Sequence, residues 1–142
     1  MQQRARSSVA LVRLEIPPRS PYVGVVRLAI SSLARSAGLD EEKVDDIKIA
    51  VSEACANAVL NNEEASTDAP VTISWEDSDG SVRIEVADRG ATVDSSASAD
   101  VDTQGFSTRA VMSFALLKSL VDDCEFQPRD GGGMTTRLLI NR

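Results

Sequence analysis

Residues Asp40 to Asn62 read DEEKVDDIKIAVSEACANAVLNN, and this stretch decides how the rest of the chain is read. Asp40 is suited to cap a helix, Glu41 and Glu42 fall in a first turn where carboxylates favour the positive end of the helix dipole, and Lys43 stands where a capping box would carry Glu or Gln. At about 100° of rotation per residue, Val44, Ile47, Ala50, Val51, Ala54 and Ala58 gather on one arc. Glu53, Asn57 and Asn61 run along the edge of that arc at i, i+4 and i+8. A helix built only for packing would turn its polar residues away from the core, whereas these border it. Glu53 offers a general base, and Asn57 offers an oxygen suited to a hard cation such as Mg²⁺, which takes a few protein oxygens alongside waters and phosphates. An ordinary amphipathic helix with polar flanks accounts for the same spacing, so the neighbouring segments must decide.

Upstream, Val12, Leu14 and Ile16 alternate with Arg13 and Glu15, which predicts a half-buried strand over Val9 to Ile16 ended by Pro17 and Pro18. Ser20 as cap and Pro21 at the first helical position predict a helix closed by Gly38. Downstream of the central helix, Glu63 to Pro70 reads as a polar loop. Val71, Ile73 and Trp75 then alternate with polar residues, Asp79-Gly80 predicts a hairpin, and Val82, Ile84 and Val86 return on one face into Ala87-Asp88-Arg89-Gly90. The stretch Ala91 to Gln104 lacks Leu, Ile and aromatic residues, and is expected to form a mobile lid over about residues 91–105. Phe106 to Leu120 has helical spacing, Val121 to Gln127 reads as a strand, Pro128 to Gly133 as a turn, and Met134 to Ile140 as a final strand. Hairpin-joined strands with helices grouped between them predict an α/β (α+β) two-layer sandwich. Its sheet is expected to be mixed and mostly antiparallel, covered on one face by about three helices.

With 142 residues and 42% hydrophobic content, the chain is expected to be a single domain, with its core over about 9–140. Its 15 basic and 22 acidic residues give a net charge of −7 and a pI near 4.6, which argues against sequence-independent binding to nucleic acid or an anionic membrane. Cys55 and Cys124 form no C-x-x-C pair and read as small core residues of a reducing compartment. The absence of histidine removes His-based triads, ordinary zinc sites and phosphorylation of the chain's own histidine. The first residues, MQQRARSS, lead into an apolar run broken by Arg13 and Glu15, so neither a signal peptide nor a membrane span is expected, and a cytoplasmic location is.

The order of elements, the E-x-x-x-N of the second helix and V-A-D-R-G at a strand end resemble the Bergerat-type ATP-binding domain shared by gyrase-type ATPases, Hsp90, histidine kinases and MutL. Within that superfamily, VSEACANAV and LKSLVDDCEF look most like the bacterial anti-sigma factors that are also serine-protein kinases. The resemblance implies ATP and Mg²⁺ as cofactors, a sigma factor and an anti-sigma antagonist as partners, and homodimerisation. It implies Glu53 as general base, Asn57 as Mg²⁺ ligand, and Asp88 as acceptor of the adenine amine. Gly90 would be the glycine allowing close approach of the base, and Thr135 or Thr136 the threonine supporting the adenine pocket. Asn61 stands where the family often has a histidine that makes a lesser polar contact. A carboxylate accepting from an exocyclic amine, beside a residue without a side chain, agrees with that chemistry.

Departures accompany the matches. The family's second glycine after Gly90 is Thr92 here, and the glycines that open the helix after the lid align with Val111 and Ser113, leaving Gly105 nearby. Backbone N–H groups at such a helix start hold phosphates, so the adenine side is better kept than the phosphate side. The expectation is therefore an anti-sigma partner switch that phosphorylates a serine of its antagonist. The alternatives are a catalytically degenerate binding module of the same fold, or a small ATP hydrolase using water.

Overall fold

The computed structural model describes residues 10–90 and 108–142. The expected lid over 91–105, with Thr92 and Gly105 in it, lies outside the described residues, as do Val9 and Phe106.

The elements follow the sequence. Strand β1 (Ala10–Ile16) leads through a single 3₁₀ turn (Ser20–Tyr22) into helix α1 (Val23–Ser36) and helix α2 (Glu41–Glu64). Strands β2 (Val71–Asp77) and β3 (Ser81–Ala87) come next, then helix α3 (Thr108–Leu120) and strands β4 (Asp123–Pro128) and β5 (Met134–Asn141). The local chemistry explains most boundaries. Asp40 is extended and its carboxylate accepts from Lys43 N at 2.9 Å, while Glu41 and Glu42 occupy the first turn of α2. Helix α1 ends with Gly38 N donating to Arg35 O and Leu39 N to Ala34 O, the paired bonds of a glycine-terminated helix. Ser78 and Ser81 exchange backbone hydrogen bonds around Asp79-Gly80, closing the expected hairpin. Two boundaries differ from expectation. Ser20 does not cap α1, because Ser20 and Pro21 lie inside the 3₁₀ turn, whose cap position is Arg19. Helix α2 runs two residues beyond Asn62, through Glu63 and Glu64, which are good helix formers despite their polarity.

The sheet order is β1-β2-β3-β5-β4, and among the described residues every pairing is antiparallel, the mostly antiparallel sheet expected. Registers carry one apolar row across all five strands: Val12 pairs with Trp75, Trp75 with Ile84, Ile84 with Leu138, and Leu138 with Cys124. Because side chains alternate along a strand, the next row (Arg13, Ser74, Glu85, Arg137, Glu125) points the other way and stays wet. The helices cover the apolar face. Val44, Ile47, Ala50, Val51, Ala54 and Ala58 of α2 are all buried, together with Val26, Ile30 and Ala34 of α1 and Leu117 of α3. This two-layer α/β sandwich lays the polar edge of α2 over the ends of β3 and β5, with α3 alongside.

Candidate functional site

The site begins where β3 ends. Asp88 follows the strand, is only 3% exposed, and among the described residues has no cation on its carboxylate; its Oδ1 accepts from the backbone N–H groups of Gly90 (2.9 Å) and Met134 (3.2 Å). Its Oδ2 accepts from Asn61 Nδ2 on α2 at 3.1 Å. Burial pushes the Asp88 carboxyl above the usual aspartate range, opposed by those hydrogen bonds and, at longer reach, by the Arg129 charge.

The backbone around Asp88 is fixed from three directions. Asp88 N donates to Met134 O at 2.9 Å, and Arg129 Nη1 donates to Asp88 O at 2.8 Å. Gly133 has φ +109°, and a Cβ built there would lie 2.1 Å from Asp88 O. No other residue type fits without displacing the chain. A Cβ on Gly90 would lie 2.4 Å from the backbone carbonyl of Asn61, so what approaches Gly90 this closely is α2 itself. Arg89 Nη1 donates to Asp130 O and Gly132 O, stitching the turn before β5 to the same loop.

Asn62 completes the frame. It is fully buried, its Nδ2 donates to Ala69 O at 2.8 Å, and its Oδ1 accepts from Arg89 N at 2.9 Å. Sequence reasoning missed it, although the helical spacing that places Ala58 on the apolar arc places Asn62 there as well. A polar residue on a core arc is the informative kind of exception.

Farther up α2, Asn57 Nδ2 donates to Glu53 Oε2 at 3.1 Å and to Ser113 Oγ of α3 at 2.6 Å. Both contacts use the amide nitrogen, which leaves Asn57 Oδ1 for another partner. Ser113 is buried against this pair, while Val111 is 41% exposed, so the two positions aligned with expected glycines differ in role: one closes on Asn57 and the other faces outward. Strand alternation separates the threonine pair. Thr136 lines a cavity of about 50 Å³ with Asn57, Asn61, Arg109, Ser113 and Met134, whereas Thr135 lies on the open face beside Arg13 and Arg129. Of the two threonines expected in sequence, Thr136 therefore shares a cavity with Asn57 and Asn61, and Thr135 faces away from it. Arg109, in the first turn of α3, forks onto Glu64 (3.0 and 3.2 Å) and donates to Asn61 Oδ1 at 3.1 Å. Glu53 also lines a groove of about 580 Å³ between α1 and α2, with Arg27, Lys48 and Ser52.

The structure therefore brings Glu53, Asn57, Asn61, Asp88, Gly90 and Thr136 to one side of α2. What it offers is a buried carboxylate addressed to an N–H donor and, two turns away, a carboxylate paired with an amide.

Comparison with known proteins gives these features a family. The family described as histidine kinase-like ATPase domain matches residues 16–140. The serine-protein kinase RsbW of Bacillus pumilus is 30% identical over 145 residues, covering 95% of this chain and 89% of that protein. The RsbW of Bacillus subtilis is 32% identical over 89 residues, which span 63% of this chain and 56% of that one. Among solved structures, the RsbU and RsbW domains of a Mycobacterium tuberculosis protein superpose with a TM-score of 0.68 at 20% identity, covering 92% of this chain and 31% of that one. The SiaB–SiaC complex of Pseudomonas aeruginosa gives 0.66 at 10% identity, covering 91% and 88%; at such identities these likenesses speak for the fold. Among the described residues no helix is long and apolar enough to cross a membrane. With the family matched across most of its length and the Bacillus pumilus enzyme aligned nearly end to end, this chain belongs to the histidine kinase-like ATPase domain family, in the branch of the RsbW serine-protein kinases.

Proposed function

We propose that the chain is an anti-sigma regulatory factor acting as a cytoplasmic partner switch. It binds a sigma factor and, in exchange, an anti-sigma antagonist, and it phosphorylates a serine of the antagonist with ATP and Mg²⁺. The observation that carries the nucleotide half is the Asp88 carboxylate, whose Oδ1 is held by two backbone N–H groups while Oδ2 is offered to an –NH₂ group. That geometry fits an adenine amine. Membership in an ATPase-domain family makes ATP the nucleotide, and the kinase relatives support a serine hydroxyl as acceptor.

In this reading Asp88 and Thr136 hold the base, and Gly90 keeps the strand end against α2. Asn57 Oδ1 is the protein ligand for Mg²⁺. Among the described residues no group of three or more His, Cys, Asp or Glu converges, which agrees with a cation that draws most of its oxygens from phosphate and water. Bound Mg-ATP supplies the phosphoryl group to be transferred. Glu53 accepts the serine hydroxyl proton at its carboxylate, and Asn57 Nδ2 holds that carboxylate in orientation. Because Glu53 also borders the groove between α1 and α2, an acceptor can reach it from a side the nucleotide does not occupy. A homodimer belongs to the same proposal.

Calorimetric titration with Mg-ATP tests the reading: binding by the parent that is lost in Asp88→Asn and weakened in Asn57→Ala supports it. Phosphate transfer to the antagonist should vanish in Glu53→Ala. Binding by neither the parent nor Asn61→Ala would sink the nucleotide half. One observation favours a second reading, a protein-binding module that no longer turns over ATP. The cavity of about 50 Å³ beside Asn57 is far below the ~300 Å³ at which small-molecule pockets begin. Turnover in the parent that Glu53→Ala abolishes would rule this out.

A further inference from the structure

We propose that Asn61 is an internal stand-in for the nucleotide's amine, capping Asp88 when the site is empty and latching α3 down through Arg109. The inference rests on the nucleotide reading above and adds how that site is regulated. A carboxamide –NH₂ and an adenine –NH₂ are donors of the same kind, planar and presenting N–H to a carboxylate lone pair. Asn61 Nδ2 sits 3.1 Å from Asp88 Oδ2, the oxygen that the backbone leaves unused. A buried acceptor without a donor is costly, so Asp88 keeps Asn61 until another N–H group replaces it.

The other end of the same amide reaches α3. Asn61 Oδ1 accepts from Arg109 Nη2 at 3.1 Å, and Arg109 is held in turn by both oxygens of Glu64. One turn along, Ser113 Oγ closes on Asn57 Nδ2 at 2.6 Å. Helix α3 is thus pinned to the polar edge of α2 at Asn61 and at Asn57, and the space left between them is the small cavity. An amine arriving at Asp88 displaces Asn61, and a displaced Asn61 no longer presents its oxygen to Arg109. Occupancy of the adenine side therefore loosens the helix that covers the phosphate side. The two ends of the nucleotide site are coupled through one side chain, and ligand-free protein is held largely in the closed form. Apparent affinity is then reduced by the fraction of molecules that are open.

This reverses the sign expected of Asn61. As a nucleotide ligand its removal would weaken binding; as a cap its removal strengthens it. The test is Mg-ATP titration of the parent, Asn61→Ala and Asn61→Ser, paired with hydrogen exchange at the α3 amides. Alanine keeps the Cβ that abuts Gly90, and serine is too short to reach Asp88. The expected result is ATP binding tighter by about tenfold in both variants, the change if roughly nine in ten parent molecules are closed. Exchange in α3 should be faster in the ligand-free variants than in the parent, and the parent should approach that rate when ATP is added. Binding in the variants but not in the parent supports the cap as well. A parent that binds ATP with variants that bind no tighter, or with unaltered α3 exchange, overturns the cap alone. Binding in none of the three overturns the nucleotide reading and the cap with it.

Discussion

Asp88 and Asn62 show at the scale of single residues what burial asks of a polar group. Asn62 satisfies both its own amide atoms and two backbone groups, Ala69 O and Arg89 N. Asn62→Ala leaves those two groups buried without partners, at about 1–3 kcal/mol each. We therefore expect a loss of about 3 kcal/mol in urea unfolding, and a loss below about 1 kcal/mol would mean that water replaces the amide. Asp88 makes a prediction in pH. Its native pKa is raised, chiefly by burial, above that of the unfolded chain. At neutral pH the native carboxylate therefore carries a cost. As pH falls through the raised native value, the folded state takes up a proton that the unfolded state does not yet bind. Stability from this group then grows until the ordinary aspartate value of about 3.9 is passed. The difference in unfolding free energy between parent and Asp88→Asn should shift toward the parent across that window, and a flat difference would refute the account.

Among the elements, α2 was the most legible in sequence and α3 the least. Apolar spacing, an acidic first turn and Asp40 foretold where α2 begins, and its capping bond from Lys43 N is present. Asp40→Ala should cost about 1 kcal/mol in thermal or urea unfolding, with the contact between Glu53 and Asn57, more than three turns downstream, left intact. The end of α2 was misjudged because two glutamates read equally well as loop or helix. The two threonines of β5 were separable by alternation once the strand's inward row was fixed by Leu138 and Ile140. Helix α3 gave only its periodicity. Nothing local to Ser113 says that its hydroxyl meets Asn57, since that contact joins residues 56 positions apart. The same holds for Arg109 and Asn61, and it is why the contacts between α2 and α3 were not readable from residue types.

At the scale of the whole molecule, composition set the class and topology escaped it. Period-two runs and turn residues identified five strands, but their order depends on pairings such as Glu85 with Arg137, separated by 52 residues. No propensity records such a pairing. Charge is a global property that does carry a consequence: with a net charge of −7, attraction to a basic partner is screened over about 8 Å at physiological salt. Association with a basic sigma-factor fragment should slow markedly as salt is raised, while dissociation changes less. A salt-independent association rate would exclude electrostatic steering.

The sheet order has a consequence for how the protein is made. β5 is the last strand in chain order yet lies inside the sheet, between β3 and β4. Synthesis proceeds from the N-terminus at about 5–20 residues per second, so a growing chain displays β3 and β4 as bare edges until residues 134–141 leave the ribosome. Met134, the first residue of that strand, is also one of the backbone donors to Asp88. A partly made chain therefore lacks the frame that gives Asp88 its orientation, and a translation product cut short before β5 would be released with that carboxylate unframed and open strand edges, a substrate for chaperone or protease.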